Sequence, residues 1–178
     1  QVENVASALS DVGDPVVAGE RLQQGGQAFL TKVLPAAESA LYDKAAALIP
    51  TGKVSMLPQT NMALRRIAGQ VQNPNLQALI TDSNFKKLTT AIGGIAQSGQ
   101  GITFDQLRRL RTWTRTLRPD PGSAVGINKT AIGDIYNGLT QDMHQMAAAG
   151  GPEAVNAIRR ADQYTRAAAA TRVPAIES

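Results

Sequence analysis

Residues 102–118 read ITFDQLRRLRTWTRTLR, and this stretch carries the clearest local signal of the fold class. Thr103 and Gln106 have the spacing of a capping box, in which each side chain satisfies the free backbone N–H of the other residue. The capping box marks the start of a helix, and Pro119 marks its end because proline cannot continue a helix. The stretch therefore predicts a helix over Phe104–Leu117.

Proline and glycine divide the remaining chain into segments of helical length, since both residues interrupt helices. No segment of four to eight residues alternates in polarity as a half-buried strand would. We therefore expect an all-α bundle of six to eight helices with no sheet. The predicted helices cover residues 15–33, 36–49, 58–71, 74–80, 83–97, 104–117 and 129–149, with a last helix that opens in 150–153 and ends near 172.

The length and composition limit the size of the core and the types of side chain that can form it. The chain has 178 residues, of which 43% are hydrophobic and only 4% aromatic, so the core must consist mainly of aliphatic side chains and alanine. We expect a single helical domain over residues 1–178, with a flexible break at 98–101 and a loop at 119–128. Because the first residue is Gln1, we expect the chain to be a piece of a longer polypeptide. The clearest apolar stripe comprises Ile132, Ile135, Tyr136, Leu139, Met143 and Met146.

Several classes of protein are disfavoured by residue counts. The chain has no cysteine and one histidine, so disulfides and thiolate sites are excluded and a histidine-based metal centre is disfavoured. No apolar run approaches the ~20 residues that a membrane span requires. We therefore expect no metal, no cofactor, no membrane span and no small-molecule substrate.

Two residues could in principle serve catalysis. Glu38 is followed by Ser39, and lytic transglycosylases carry a catalytic glutamate in that context. Three Tyr and three Phe residues cannot supply the aromatic cleft that a glycan needs, however. His144 has no serine or aspartate in a recognisable catalytic arrangement with it. We therefore expect a protein that is not an enzyme.

The candidate binding residues are four arginines. Arg108, Arg111, Arg115 and Arg118 follow spacings that place them on one helical face. The predicted apolar stripe of this helix lies on another face, with Trp113 in the core, and comprises Leu107, Leu110, Trp113 and Leu117. Guanidinium groups in a row suit phosphates, because each can bind bidentately without reading sequence. The alternatives are a solvated face or pairing with acidic side chains of a neighbouring helix. Alanine at all four arginines is expected to leave folding intact and to reduce any DNA binding.

Three segments in the second half resemble a known family. They are ITFDQLRRLR (102–111), IYNGLTQDM (135–143), and GPEA leading to RADQYTR (within 151–166). These segments are similar to parts of the large internal virion proteins of tailed bacteriophages and prophages, which are also called ejection or DNA-injection proteins. The family tends to have Asn where this chain has Asp162. The resemblance covers residues 102–166.

The resemblance implies a structural role in a phage particle. The chain would be a non-enzymatic helical module that acts through assembly, with sequence-independent contact to DNA through the four arginines. Its partners would be other virion proteins or the rest of its own long chain. Its location would be the virion, or the bacterial cytoplasm before assembly. The alternative is a helical protein-interaction module of a secreted bacterial effector or toxin.

Overall fold

The structure is a computed structural model that describes residues 32–70, 82–117 and 125–172. These residues form six helices and no strand, which confirms the predicted all-α fold. Within these ranges, one isolated β-bridge joins Ser55 to Ile102. The helices are α1 (Leu34–Leu48), α2 (Pro58–Gly69), α3 (Ser83–Ser98), α4 (Phe104–Thr116), α5 (Val125–Ala148) and α6 (Pro152–Arg172).

Most helix ends lie close to the predicted positions, and one differs. Helix α5 begins at Val125, inside the loop predicted for 119–128. Glycine and asparagine in this first turn lower the helix propensity, but propensity is a weak determinant that the surrounding structure overrides. The predicted helix at 74–80 lies outside the described residues, as does the helix predicted for 15–33 up to residue 31.

The described residues divide into two compact units. The smaller unit contains the described residues up to Asp43 and those from Arg159 onward, and the larger unit contains those within Lys44–Ile158. In the larger unit, α5 packs against both α2 and α4. The prediction of one helical domain over residues 1–178 stays a prediction.

The apolar stripe of α5 supplies much of the core of the larger unit. Tyr136 is half-buried, and the other predicted members of the stripe are buried. Burial of a large aliphatic side chain contributes about 1.5–3 kcal/mol, so this stripe is a principal source of stability for the unit. The buried members are Ile132, Ile135, Leu139, Met143 and Met146.

The N-terminus of α2 is capped from a distant point in the chain. Leu57 precedes the helix in the left-handed conformation, with φ 55°, and provides no side-chain cap. The carboxylate of Asp142 on α5 takes this role, since it accepts hydrogen bonds from the backbone N–H of Gln59 (2.9 Å) and of Thr60 (3.0 Å). The Thr60 hydroxyl donates a third bond to it, at 2.6 Å. Asp142 is fully buried, and these three donors at the N-terminus of α2 satisfy its carboxylate oxygen atoms.

A glycine one turn earlier on α5 allows this close approach. A Cβ atom at Gly138 would lie 2.8 Å from the Cα atom of Thr60, which is too close for any other residue without a backbone shift. Gly138 and Asp142 are four residues apart and therefore lie on the same face of α5. Together they bring the α2 backbone against α5 and satisfy its free N–H groups.

The segment between α3 and α4 is a defined turn. Helix α3 ends at Ser98 and is followed by Gly99, which has φ 65°, and Gly101 also has a positive φ of 69°. A Cβ atom at Gly101 would lie 2.8 Å from the Ser55 carbonyl oxygen. Beyond it, Ile102 exchanges two backbone hydrogen bonds with Ser55, at 2.8 and 2.9 Å. These contacts fix the direction in which the chain enters α4.

In the smaller unit, two hydrogen bonds join α1 to α6. The buried Tyr42 donates its hydroxyl to Asp162 at 2.9 Å, and Thr165 donates its hydroxyl to Glu38 at 2.7 Å. Glu38 is therefore an acceptor in a helix–helix contact, which is a structural use of the side chain.

Candidate functional site

Helix α4 carries the predicted binding residues, and its start is fixed by the predicted capping box. Thr103 accepts a hydrogen bond from the backbone N–H of Gln106 at 3.3 Å, and the Gln106 side chain accepts one from the backbone N–H of Thr103 at 2.9 Å. This reciprocal cap satisfies two free donors and sets the first turn. The rotation of α4 about its axis then decides which side chains meet solvent.

The buried face of α4 differs from the predicted apolar stripe. It consists of Phe104, Leu107, Arg111 and Thr114. Thr114 is tolerated there because its hydroxyl donates to the Leu110 carbonyl oxygen of its own helix, at 2.8 Å. The buried face thus follows the spacing three, four, three from Phe104 onward, with one charged residue in it.

Arg111 is that charged residue, and the prediction that it shares a surface with the other arginines is wrong. It is only 4% exposed. Its guanidinium donates to the Thr140 hydroxyl at 3.3 Å and lies 5.5 Å from the centre of the Tyr136 ring. Hydrogen bonding and the cation–π contact compensate for burying the charge between α4 and α5. Alanine at this position would remove a packed side chain as well as a charge.

Trp113 is also placed differently from the prediction, since it lies at the surface and not in the core. It is 36% exposed. It projects from the side of α4 opposite Arg111, because two residues correspond to roughly 200° of rotation. We call this side, with Arg108 at its edge about 60° from Arg111, the outer face of α4. It lines an open depression of about 530 Å³ and comprises Asp105, Arg108, Arg109, Thr112, Trp113 and Thr116.

The charge of the outer face comes from two arginines and one aspartate. Arg109 forms an ion pair with Asp105 at 2.9 Å, and both side chains are well exposed. Such an exposed pair, four residues apart on a helix, contributes only about 0.3–0.5 kcal/mol, so a stronger anion can displace the carboxylate. Arg108 is half-buried, whereas Arg115 is exposed beside this face, and Arg118 lies outside the described residues.

Sequence reasoning named Arg108 as a candidate binding residue but did not place Arg109 and Trp113 beside it at the surface. The spacing of these residues from Phe104 would have predicted their position at the surface. If Phe104 and Leu107 define the buried side, residues 109 and 113 fall on the opposite side of the helix. The predicted stripe omitted Phe104 and was therefore rotated toward Trp113.

Other chemistry is limited in the part of the chain that the structure describes. No group of His, Asp and Glu side chains there could hold a metal ion. None of the helices in the described ranges is both long enough and apolar enough to cross a membrane. Asp142, the most deeply buried carboxylate, serves as a helix cap.

The chain matches no protein-family profile, no curated protein and no solved structure. The described residues form an all-α protein, and its candidate site is the outer face of α4, which carries two arginines and a tryptophan. The resemblance to internal virion proteins stays a prediction.

Proposed function

We propose that this chain is a non-enzymatic helical module of a phage or prophage internal virion protein. In this proposal it acts through helix packing with other virion proteins or with the rest of its own polypeptide. The outer face of α4 binds nucleic acid through its phosphates, without reading sequence. The protein is located in the virion, or in the bacterial cytoplasm before assembly.

One observation carries the nucleic-acid part of the proposal. The outer face places Arg108, Arg109 and Trp113 around one open depression. Guanidinium groups bind phosphate oxygens bidentately, and an exposed aromatic ring beside them is typical of nucleic-acid-binding surfaces. The formal net charge of +4 favours association with a polyanion.

Fluorescence anisotropy of labelled DNA tests this binding. The double variant Arg108→Ala/Arg109→Ala is expected to bind DNA more weakly. The magnitude of the slope of log K against log salt concentration is expected to fall by about 2, because the loss of two phosphate contacts reduces the number of counterions released on binding. Asp105→Asn is expected to bind more tightly, since it removes the carboxylate that competes for Arg109. The matched control is Arg65→Ala/Arg66→Ala on α2, where both side chains are exposed. The proposal is wrong if the wild-type protein shows no salt-dependent binding at low ionic strength, or if the control loses as much as the test variant.

The virion part of the proposal has a separate test. An antibody against this chain is used to follow the antigen on a density gradient after induction of the source culture. Banding with particles, in a polypeptide much larger than this chain, is the expected result. A small secreted antigen in the absence of particles would contradict it and would favour the effector or toxin module.

A further inference from the structure

We infer that the outer face of α4 prefers single-stranded nucleic acid, with an unpaired base stacked on Trp113. This inference rests on the proposed function and names the form of nucleic acid that the face recognises. Its basis is the combination of an exposed indole ring with a guanidinium group, that of Arg109, one helical turn away.

The position of Trp113 leaves its ring available at the surface. The neighbouring buried positions, Arg111 and Thr114, lie on the inner side of α4, and Trp113 is 36% exposed. The exposed third of Trp113 includes apolar surface, and covering such surface is favourable. In the depression this surface is bordered by polar side chains.

The arginines of the outer face suit a phosphate attached to the stacked base. Arg109 precedes Trp113 by four residues, which is about 6 Å along the helix axis. One nucleotide can extend over such a distance from its phosphate to its base. Arg109 is the more exposed arginine, with a side chain 80% accessible, and its present partner Asp105 is also exposed. A phosphate can replace that carboxylate at little cost.

The lining of the depression favours a base over other apolar groups. Its described lining residues are Trp113, two threonines, two arginines and an aspartate, so Trp113 is the one large apolar side chain among them. An apolar peptide side chain needs an apolar pocket, whereas a base needs a flat aromatic face and polar surroundings for its edges. In a duplex, both faces of each internal base are covered by its neighbours. A single strand therefore fits this face better than a duplex.

The chain provides an internal probe for this contact, since Trp113 is its only tryptophan. The complete chain is titrated with an oligothymidylate, with a duplex of the same length and with inorganic polyphosphate, which has charge but no bases. The expected result is quenching of tryptophan fluorescence by the single strand and tighter binding of the single strand than of the duplex. Polyphosphate is expected to bind without quenching.

Two substitutions separate stacking from charge. Both variants lack tryptophan, so their binding is measured by the anisotropy of labelled oligothymidylate and by its displacement with polyphosphate. Trp113→Leu is expected to weaken oligothymidylate binding by about 5- to 150-fold and to leave polyphosphate binding unchanged, because only the stacking contact is lost. Trp113→Phe keeps an aromatic face and is expected to retain much of the affinity. Far-UV circular dichroism and thermal unfolding verify that both variants fold.

The remaining outcomes distinguish this inference from the proposed function. Equal binding of single strand, duplex and polyphosphate without quenching overturns the single-strand preference and leaves the phosphate contact in place. No binding of any polyanion overturns both. Tighter binding of polyglutamate than of oligothymidylate also overturns the inference, and indicates an acidic protein segment as the partner.

Discussion

At the scale of single residues, Asp142 joins two helices that are far apart in the sequence. It is fully buried and accepts three hydrogen bonds, all from Gln59 and Thr60. Leu57, the residue before α2, offers no side-chain cap. The N-terminus of α2 therefore depends on a residue more than 80 positions away. Sequence reasoning assigned Asp142 no role.

We predict that Asp142→Asn destabilises the protein by about 2 kcal/mol. The amide keeps the size of the side chain but loses the charge, and one of its two polar atoms becomes a donor that faces other donors. Urea denaturation measures the free energy of unfolding. Thr60→Val in a double-mutant cycle with Asp142→Asn is expected to give a non-additive result, because both changes disrupt one network.

The control for this prediction is Asp134→Asn on the same helix. Asp134 is exposed, so its substitution is expected to change the free energy of unfolding by less than about 0.5 kcal/mol. If Asp142→Asn is no less stable than this control, the cap does not hold α2 as described.

At the scale of helices, α4 shows how far a periodic pattern can predict a site. The start of α4 was predicted correctly, because the capping box of Thr103 and Gln106 is a local signal. The rotation of the helix was predicted wrongly, by roughly a quarter of a turn. Leucine and arginine alternate too closely in this helix for composition to define the buried side. The contact of Arg111 with Tyr136 on α5 does define it, and that contact depends on tertiary structure.

The approach of α2 to α5 leads to a prediction about two glycines on α5. Gly138→Ala is expected to destabilise the protein by about 1–3 kcal/mol, because the new Cβ atom would meet the Thr60 backbone at 2.8 Å. Gly133→Ala meets no atom within 4 Å and is expected to stabilise by up to about 1 kcal/mol through helix propensity. Thermal unfolding of the two variants provides the comparison. Equal melting temperatures would show that α2 and α5 are not in close contact at Gly138.

The ion pair between α1 and α6 in the larger unit gives a prediction about pH. The Nζ atom of Lys44 lies 2.8 Å from the Oε1 atom of Glu153 and donates a hydrogen bond to it. This hydrogen bond, together with the positive charge of Lys44, lowers the pKa of Glu153 below its usual range. A lowered pKa means that the folded state favours the carboxylate. The resulting contribution to stability is present above the pKa of the unfolded chain and is lost as the pH falls through the pKa of the folded one.

The measurement is an NMR titration of the Glu153 side chain. In Lys44→Gln, the pKa of Glu153 is expected to rise toward its usual range, because the hydrogen-bonding cation is removed. The effect on total stability is expected to be small, since both side chains are exposed. If the pKa of Glu153 is the same in Lys44→Gln as in the wild-type protein, Lys44 is not the cause of the lowered pKa.

At the scale of the whole molecule, the fold class was predictable and the contacts between distant helices were not. The all-α class follows from local signals, such as the proline and glycine residues that end helices. The pairing of Asp142 with Thr60, and of Tyr42 with Asp162, joins residues far apart in sequence. Nothing in a single sequence specifies such pairs, because many polar side chains could satisfy the same donor. For the same reason, the burial of Arg111 and the exposure of Trp113 on α4 were not predicted from the sequence.

The most direct test of the central claim is an NMR comparison of the protein with and without an oligothymidylate. We predict that chemical-shift changes concentrate on the outer face of α4 and include the indole N–H of Trp113. Amides near Arg65 and Arg66 on α2 are expected to change little. Changes confined to other helices, or no changes at low ionic strength, would contradict the assignment of this face as the nucleic-acid-binding surface.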